Sequence, residues 1–152
     1  MNKFMQVARK EAEQAAKEGE IPVGAAIFKD GELICACHNL CEQTNDPTAH
    51  AELLAIQTAQ KKLGGKNLSG CELYVTLEPC AMCAGAIHLA KLSRVYYGAY
   101  DAKSGALGGA VDLSQSGCFD YKTEIYAGID EIACEAILKT FFQEIRKEKR
   151  DE

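Results

Sequence analysis

The sequence predicts an α/β protein: a mixed five-stranded sheet between helical layers, in a three-layer α-β-α arrangement. Two observations lead to this. Segments of helical spacing alternate with short apolar runs in the order α-β-β-α-β-α-β-β-α, and strands joined through helices imply some parallel pairing. The pair Asp30-Gly31 between the apolar runs "VGAAIF" and "ELICACH" marks an antiparallel hairpin in the same sheet. At 152 residues, the chain fits a single domain over residues 1–152 with a substantial core.

From Lys3 to about Glu18, Phe4, Val7, Ala8, Ala12 and Ala15 follow helical spacing, and Gly19 ends the run. After the hairpin, Asn45, Asp46 and Pro47 form a loop leading to a helix from about Thr48 to Leu63, stopped by Gly64-Gly65. "CELYVTL" reads as a buried strand, and Pro79 opens a helix running to about Lys91. "RVYYGAY" is the next strand. Asp101 to Lys122 is rich in Gly and Ser and reads as loop with a short helical piece; "EIYAG" is a short strand, and Ile129 to about Lys147 a long helix.

Hydrophobic residues at 47% and charged residues at 26% are ordinary for a globular protein. No apolar run approaches the ~18 residues of a membrane span, and the charged N-terminal segment lacks the apolar centre of a signal peptide. A cytoplasmic protein without membrane association is expected, in which the Asn67-Leu68-Ser69 sequon is chance. The net charge of −5 opposes nucleic-acid binding through the whole surface and leaves room for a local basic patch. Eight cysteines do not make a disulfide scaffold here, because a chain this long needs no staples and a cytoplasm keeps thiols reduced. Cys35, Cys37, Cys71 and Cys134 read as small buried hydrophobes, and Cys41 and Cys118 as loop residues.

Only Cys80 and Cys83 have ligand spacing. Residues i and i+3 share a helix face, and a helix start favours thiolate. His50 is a third candidate ligand. His50 and Glu52 lie about 200° apart on a regular helix, so they serve one site only near the end of theirs. Three protein ligands leave a fourth tetrahedral position open, as in catalytic zinc sites. Glu52 is then free to move protons. Of the other histidines, His88 reads as a packed residue late in its helix, and His38 ends a strand without an assigned role.

The signature His-x-Glu…Pro-Cys-x-x-Cys is that of zinc nucleobase deaminases. With "IPVGAAI", "NDPTAHAELLAI", "LYVTLEPCAMCAGAI", "YYGAYDAKSGA" and "FFQEIRK", the chain resembles the bacterial tRNA-specific adenosine deaminase family from about Ile21 to Arg146. The resemblance implies a cytidine-deaminase-like fold and one Zn2+ per subunit, held by His50, Cys80 and Cys83. It implies that Glu52 shuttles protons while zinc-activated water converts the wobble adenosine of a tRNA anticodon arm to inosine. Asn39 then hydrogen-bonds the flipped base, backbone groups at Ala51 orient the attacked edge, and Asp101 lies near a flanking ribose, where a 2′-hydroxyl separates RNA from DNA. Phe142 falls on an aromatic position of the RNA-contacting helix. A homodimer is implied, and no DNA substrate.

Tyr100 stands where the family often has arginine, and Gln143 and Glu144 where basic residues are common. Arg146, Lys147, Lys149 and Arg150 remain. Tyr100 reads equally as a stacking platform and as a strand-end aromatic. Two other functions compete. A deaminase of free guanine, cytosine or a nucleoside would share fold and motif, since specificity lies in the pocket and loops. A zinc-stabilised binding module without catalysis would have no use for Glu52.

Overall fold

In the computed structural model, which describes residues 1–151, the five strands are ordered β2-β1-β3-β4-β5. They are β1 (Gly24–Lys29), β2 (Glu32–His38), β3 (Cys71–Leu77), β4 (Arg94–Ala99) and β5 (Glu124–Tyr126). β1 runs antiparallel to β2 and β3, whereas β3, β4 and β5 are mutually parallel. The hairpin forms at Asp30-Gly31, both with positive φ (51° and 80°), as a tight turn matched to strand twist requires.

The helices are α1 (Lys3–Lys17), the single turn α2 (Cys41–Thr44), α3 (Ala51–Leu63), α4 (Ala81–Ala90) and α5 (Glu131–Asp151). The Asn2 carboxamide accepts from the Phe4 and Met5 amides at 2.9 Å and starts α1. Met5, Ala8, Ala12 and Ala15 then face the sheet. α1 lies so close that a Cβ at Gly24 would overlap the Ala8 and Ala12 backbone, so the contact needs glycine.

α3 and α4 cover the opposite face. Ala55, Ile56 and Ala59 of α3 and Ala84, Ile87 and Ala90 of α4 pack there with Leu68, Leu73 and Leu92. Each fully buried leucine contributes about 1.5–3 kcal/mol. On the α1 and α5 face, Tyr74, Tyr96 and Tyr126 stack across three strands at centroid separations of 4.3 and 4.9 Å. The three-layer architecture is as expected from the sequence, and among the described residues no helix is long and apolar enough to cross a membrane.

Three local expectations are corrected. The helix expected from Thr48 starts at Ala51, because the Asp46 carboxylate accepts from the Thr48 amide and hydroxyl (2.8 and 2.7 Å) and closes a turn instead. The helix expected to open at Pro79 starts at Ala81. The turn α2 was not expected; the buried Glu20 carboxylate caps it, accepting from the Glu42 and Gln43 amides at 2.9 and 2.8 Å.

Candidate active site

Two helix starts meet at the same end of the sheet. His50 is the N-cap of α3 and Cys80 the N-cap of α4, both with extended backbone and neither side chain bonded to its own helix. Because His50 is not yet helical, the opposite-face separation of residues i and i+2 does not apply, and His50 and Glu52 can share a site.

His50 Nδ1 lies 3.6 Å from the sulfurs of both Cys80 and Cys83. A tetrahedral zinc with sulfur at about 2.3 Å and nitrogen at about 2.0–2.1 Å puts those donors about 3.6 Å apart. Both nitrogen–sulfur separations therefore match a bound zinc ion, and the three donor atoms all lie within 4.8 Å of one another. The Cys83 thiol and the His50 ring hold the Cys80 thiol down to about 4, whereas Cys80 and then burial push Cys83 up.

Glu52, in the first turn of α3, is 4% exposed. Burial pushes its carboxyl up to about 7, against the pull of its own backbone amide and of His50. That places it where a group can both take and give a proton.

Asn39 and Ala51 are joined directly: Asn39 Oδ1 accepts the Ala51 amide at 2.9 Å, and Asn39 Nδ2 donates to the Ile21 carbonyl at 3.1 Å. Asn39 thus supplies the cap that His50 does not. Asp101 follows β4 at the same end of the sheet. Its Oδ1 accepts from the Lys103 and Ser104 amides (3.1 and 3.0 Å). Phe142 is exposed on α5, its ring edge-on to Phe141. Tyr100 is half-exposed with its ring edge-on to Tyr97.

The remaining histidines lie outside the metal cluster. His38 bridges Glu11 and Glu18 of the α1 segment at 2.6 and 2.9 Å. His88 stacks on Phe119 and contacts Asp120. Sequence reasoning missed Glu78, which is 2% exposed and accepts three loop amides. Its one signal is an acid inside the apolar stretch "LYVTLEPC".

Residues 1–99, which hold His50, Glu52, Cys80 and Cys83, match the family described as the cytidine and deoxycytidylate deaminase zinc-binding region. The chain is 44% identical to the tRNA-specific adenosine deaminase of Bacillus subtilis (strain 168), over 97% of this chain and 91% of that protein. The chain belongs to the tRNA-specific adenosine deaminase family. Zinc is the cofactor of this deaminase domain. A structure from a study of A-to-I editing by tRNA:A34 deaminases at the wobble position of transfer RNA is similar at a TM-score of 0.87 and 41% identity, covering 89% of this chain and 98% of that one. A guanine deaminase from Nitrosomonas europaea is similar at a TM-score of 0.80 and 25% identity, over 91% and 82% of the two chains. The fold is thus shared across base deaminases of different specificity, and the higher identity lies with the tRNA-acting members.

Proposed function

We propose that the chain hydrolyses the wobble adenosine of a tRNA anticodon arm to inosine, with His50, Cys80 and Cys83 holding one zinc ion. The observation that carries this reading is the buried Glu52 carboxylate beside a cluster that offers three ligands. A structural zinc site takes four protein ligands and needs no acid beside them; a catalytic one keeps a position open.

When bound, zinc acidifies a water so that a nucleophile is available at neutral pH. Glu52 would take a proton from that water and deliver it to the adenine ring nitrogen as the remaining hydroxide bonds to C6. It would then move the proton of the new C6 hydroxyl to the exocyclic amine, so that the bond from C6 to the exocyclic nitrogen breaks, ammonia leaves and C6 keeps the oxygen as a carbonyl. Asn39 keeps one amide hydrogen beyond its bond to Ile21 and holds the flipped base, with Ala51 orienting the attacked edge. Asp101 Oδ2 is free of the turn that Oδ1 closes and accepts a flanking ribose 2′-hydroxyl. Phe142 and Arg146 extend the RNA contact along α5. Unstacking the base costs less in an anticodon loop than in a duplex.

The working form is a cytoplasmic homodimer. Leu89 and Met82 of α4, 79% and 36% exposed, leave apolar side chains of that helix for a second copy to cover, and eight free cysteines suit a reducing compartment. The test is incubation with a tRNA anticodon arm bearing a wobble adenosine, with free guanine and cytosine as parallel substrates. Inosine in the RNA supports the reading. Turnover of a free base with the RNA untouched replaces it by the guanine-deaminase alternative, which has the same fold.

A further inference from the structure

Glu78 is a buried carboxylate with no cationic partner among the described residues. Its oxygens accept backbone amides from Asp101 (3.0 Å), Leu107 (3.0 Å) and Gly109 (2.7 Å), all in the loop after β4. Neither Gly105 nor Gly109 has a positive φ, so these glycines are not required by backbone conformation. They are required by space: a Cβ at either would overlap both the Glu78 carboxylate and the Asp101 carbonyl. The loop is therefore wrapped tightly around this one side chain.

The same loop is tied to the metal cluster. The Ala106 amide donates to the Pro79 carbonyl at 2.9 Å, and Gly105 forms a bridge with Cys80. Glu78 stands two residues before Cys80. It thus joins, through one side chain, the strand end that delivers a zinc ligand and the backbone that delivers Asp101. Bonds from amides to a carboxylate are about twice as strong as neutral ones and shorter. They suit a joint that must hold a fixed distance.

We infer that Glu78 is a positioning residue that sets the Asp101 loop in register with the metal cluster, so that the flanking ribose is read while the target base sits at the zinc. This rests on the reading of Asp101 as the ribose contact.

The experiment uses the zinc-loaded enzyme and an anticodon stem-loop RNA, with and without a single 2′-deoxy substitution at the nucleotide beside the target adenosine. For each variant, the loss in kcat/KM on removing that hydroxyl is measured. The wild type is expected to show a penalty of about three- to tenfold, the size of one hydrogen bond. Asp101→Asn and Glu78→Gln should each shrink the penalty towards one, with zinc content unchanged, and the double variant should shrink it no further. Gly109→Ala, which crowds the same cradle without altering the buried charge, should act like Glu78→Gln and replaces it if that variant does not fold. If Asp101→Asn abolishes the penalty while Glu78→Gln and Gly109→Ala slow both RNAs equally, Glu78 is only structural and the inference fails. If the wild type shows no penalty, or Asp101→Asn leaves it whole, the Asp101 reading itself fails and takes the inference with it.

Discussion

Asn39 Oδ1 accepts the Ala51 amide at 2.9 Å, so the residue that resembles a base-binding asparagine also caps the helix that carries Glu52. The first amide of α3 has no cap from His50, whose side chain faces the sulfurs. Under the proposed function, one side chain would serve both the substrate pocket and the start of the helix that carries Glu52.

Asn39→Ala should accordingly lose stability as well as turnover. Leaving the Ala51 amide and the Ile21 carbonyl unpaired costs about 1–3 kcal/mol. The zinc ligands are untouched, so metal content should stay at one ion per chain. Thermal unfolding with zinc analysis checks this. An unchanged melting temperature would remove Asn39 from the capping role.

Cys83→Ala should bind zinc poorly and unfold at lower temperature. Cys83 is fully buried, and the cluster ties the start of α3 to the start of α4. Losing a ligand couples metal loss to folding, and each kcal/mol lost lowers Tm by about 2–4 °C for a chain of this size. A strong chelator should lower the wild type's Tm and leave the variant's nearly unchanged. Full zinc occupancy in Cys83→Ala would count against the ligand assignment.

Glu52→Ala should keep zinc and fold but lose turnover by about 10²–10⁴-fold, the usual worth of a general acid-base group. Loss of zinc together with activity would mean that Glu52 is a ligand. Activity near the wild type's would remove it from the reaction.

A pH effect on stability should arise at His38. Burial lowers its pKa, but bonds to Glu11 and Glu18 outweigh this and the net shift is upward. A raised folded pKa gives stability that is fully present below the ordinary histidine value of about 6.5 and lost as pH rises through the folded pKa. Gln14, His38 and Gln43 hold Glu18 down to about 2, so its share is lost only as pH falls below the ordinary carboxylate range. The stability difference between wild type and His38→Phe should therefore be largest around pH 5–6 and shrink above about pH 7. Urea unfolding at several pH values measures it, and a difference that grows with pH contradicts the linkage.

Much of the fold was legible because its signals are local: the Asp30-Gly31 turn, the Gly19 and Gly64 stops, and the apolar spacing of α1 each act within a few residues. Cys80 and Cys83 were legible as a ligand pair because their spacing is local too, whereas His50, 30 residues before Cys80, could be offered only as a third candidate and through the resemblance. What escaped the sequence depends on distant partners. Asp46 is as good a helix-start signal as any, but it closes a turn onto Thr48, and α3 begins after the histidine instead. Glu20 looks like an ordinary surface acid, and Glu78 is marked only by its apolar neighbours. They are buried because amides 22 to 31 residues further along the chain fold onto them.

The central claim is that this site acts on a tRNA rather than on a free base. The most direct measurement is the relative kcat/KM for an anticodon stem-loop carrying a wobble adenosine against free guanine and cytosine, repeated over a range of salt. Action on tRNA gives inosine in the RNA, negligible turnover of the free bases, and an RNA affinity that falls as salt rises. Single-stranded contacts give a log–log slope of about −0.7 per phosphate neutralised, and Arg146, Lys147, Lys149 and Arg150 would carry that slope on a chain whose net charge is −5. Efficient release of ammonia from guanine or cytosine, with the RNA unmodified at every salt concentration, would contradict it.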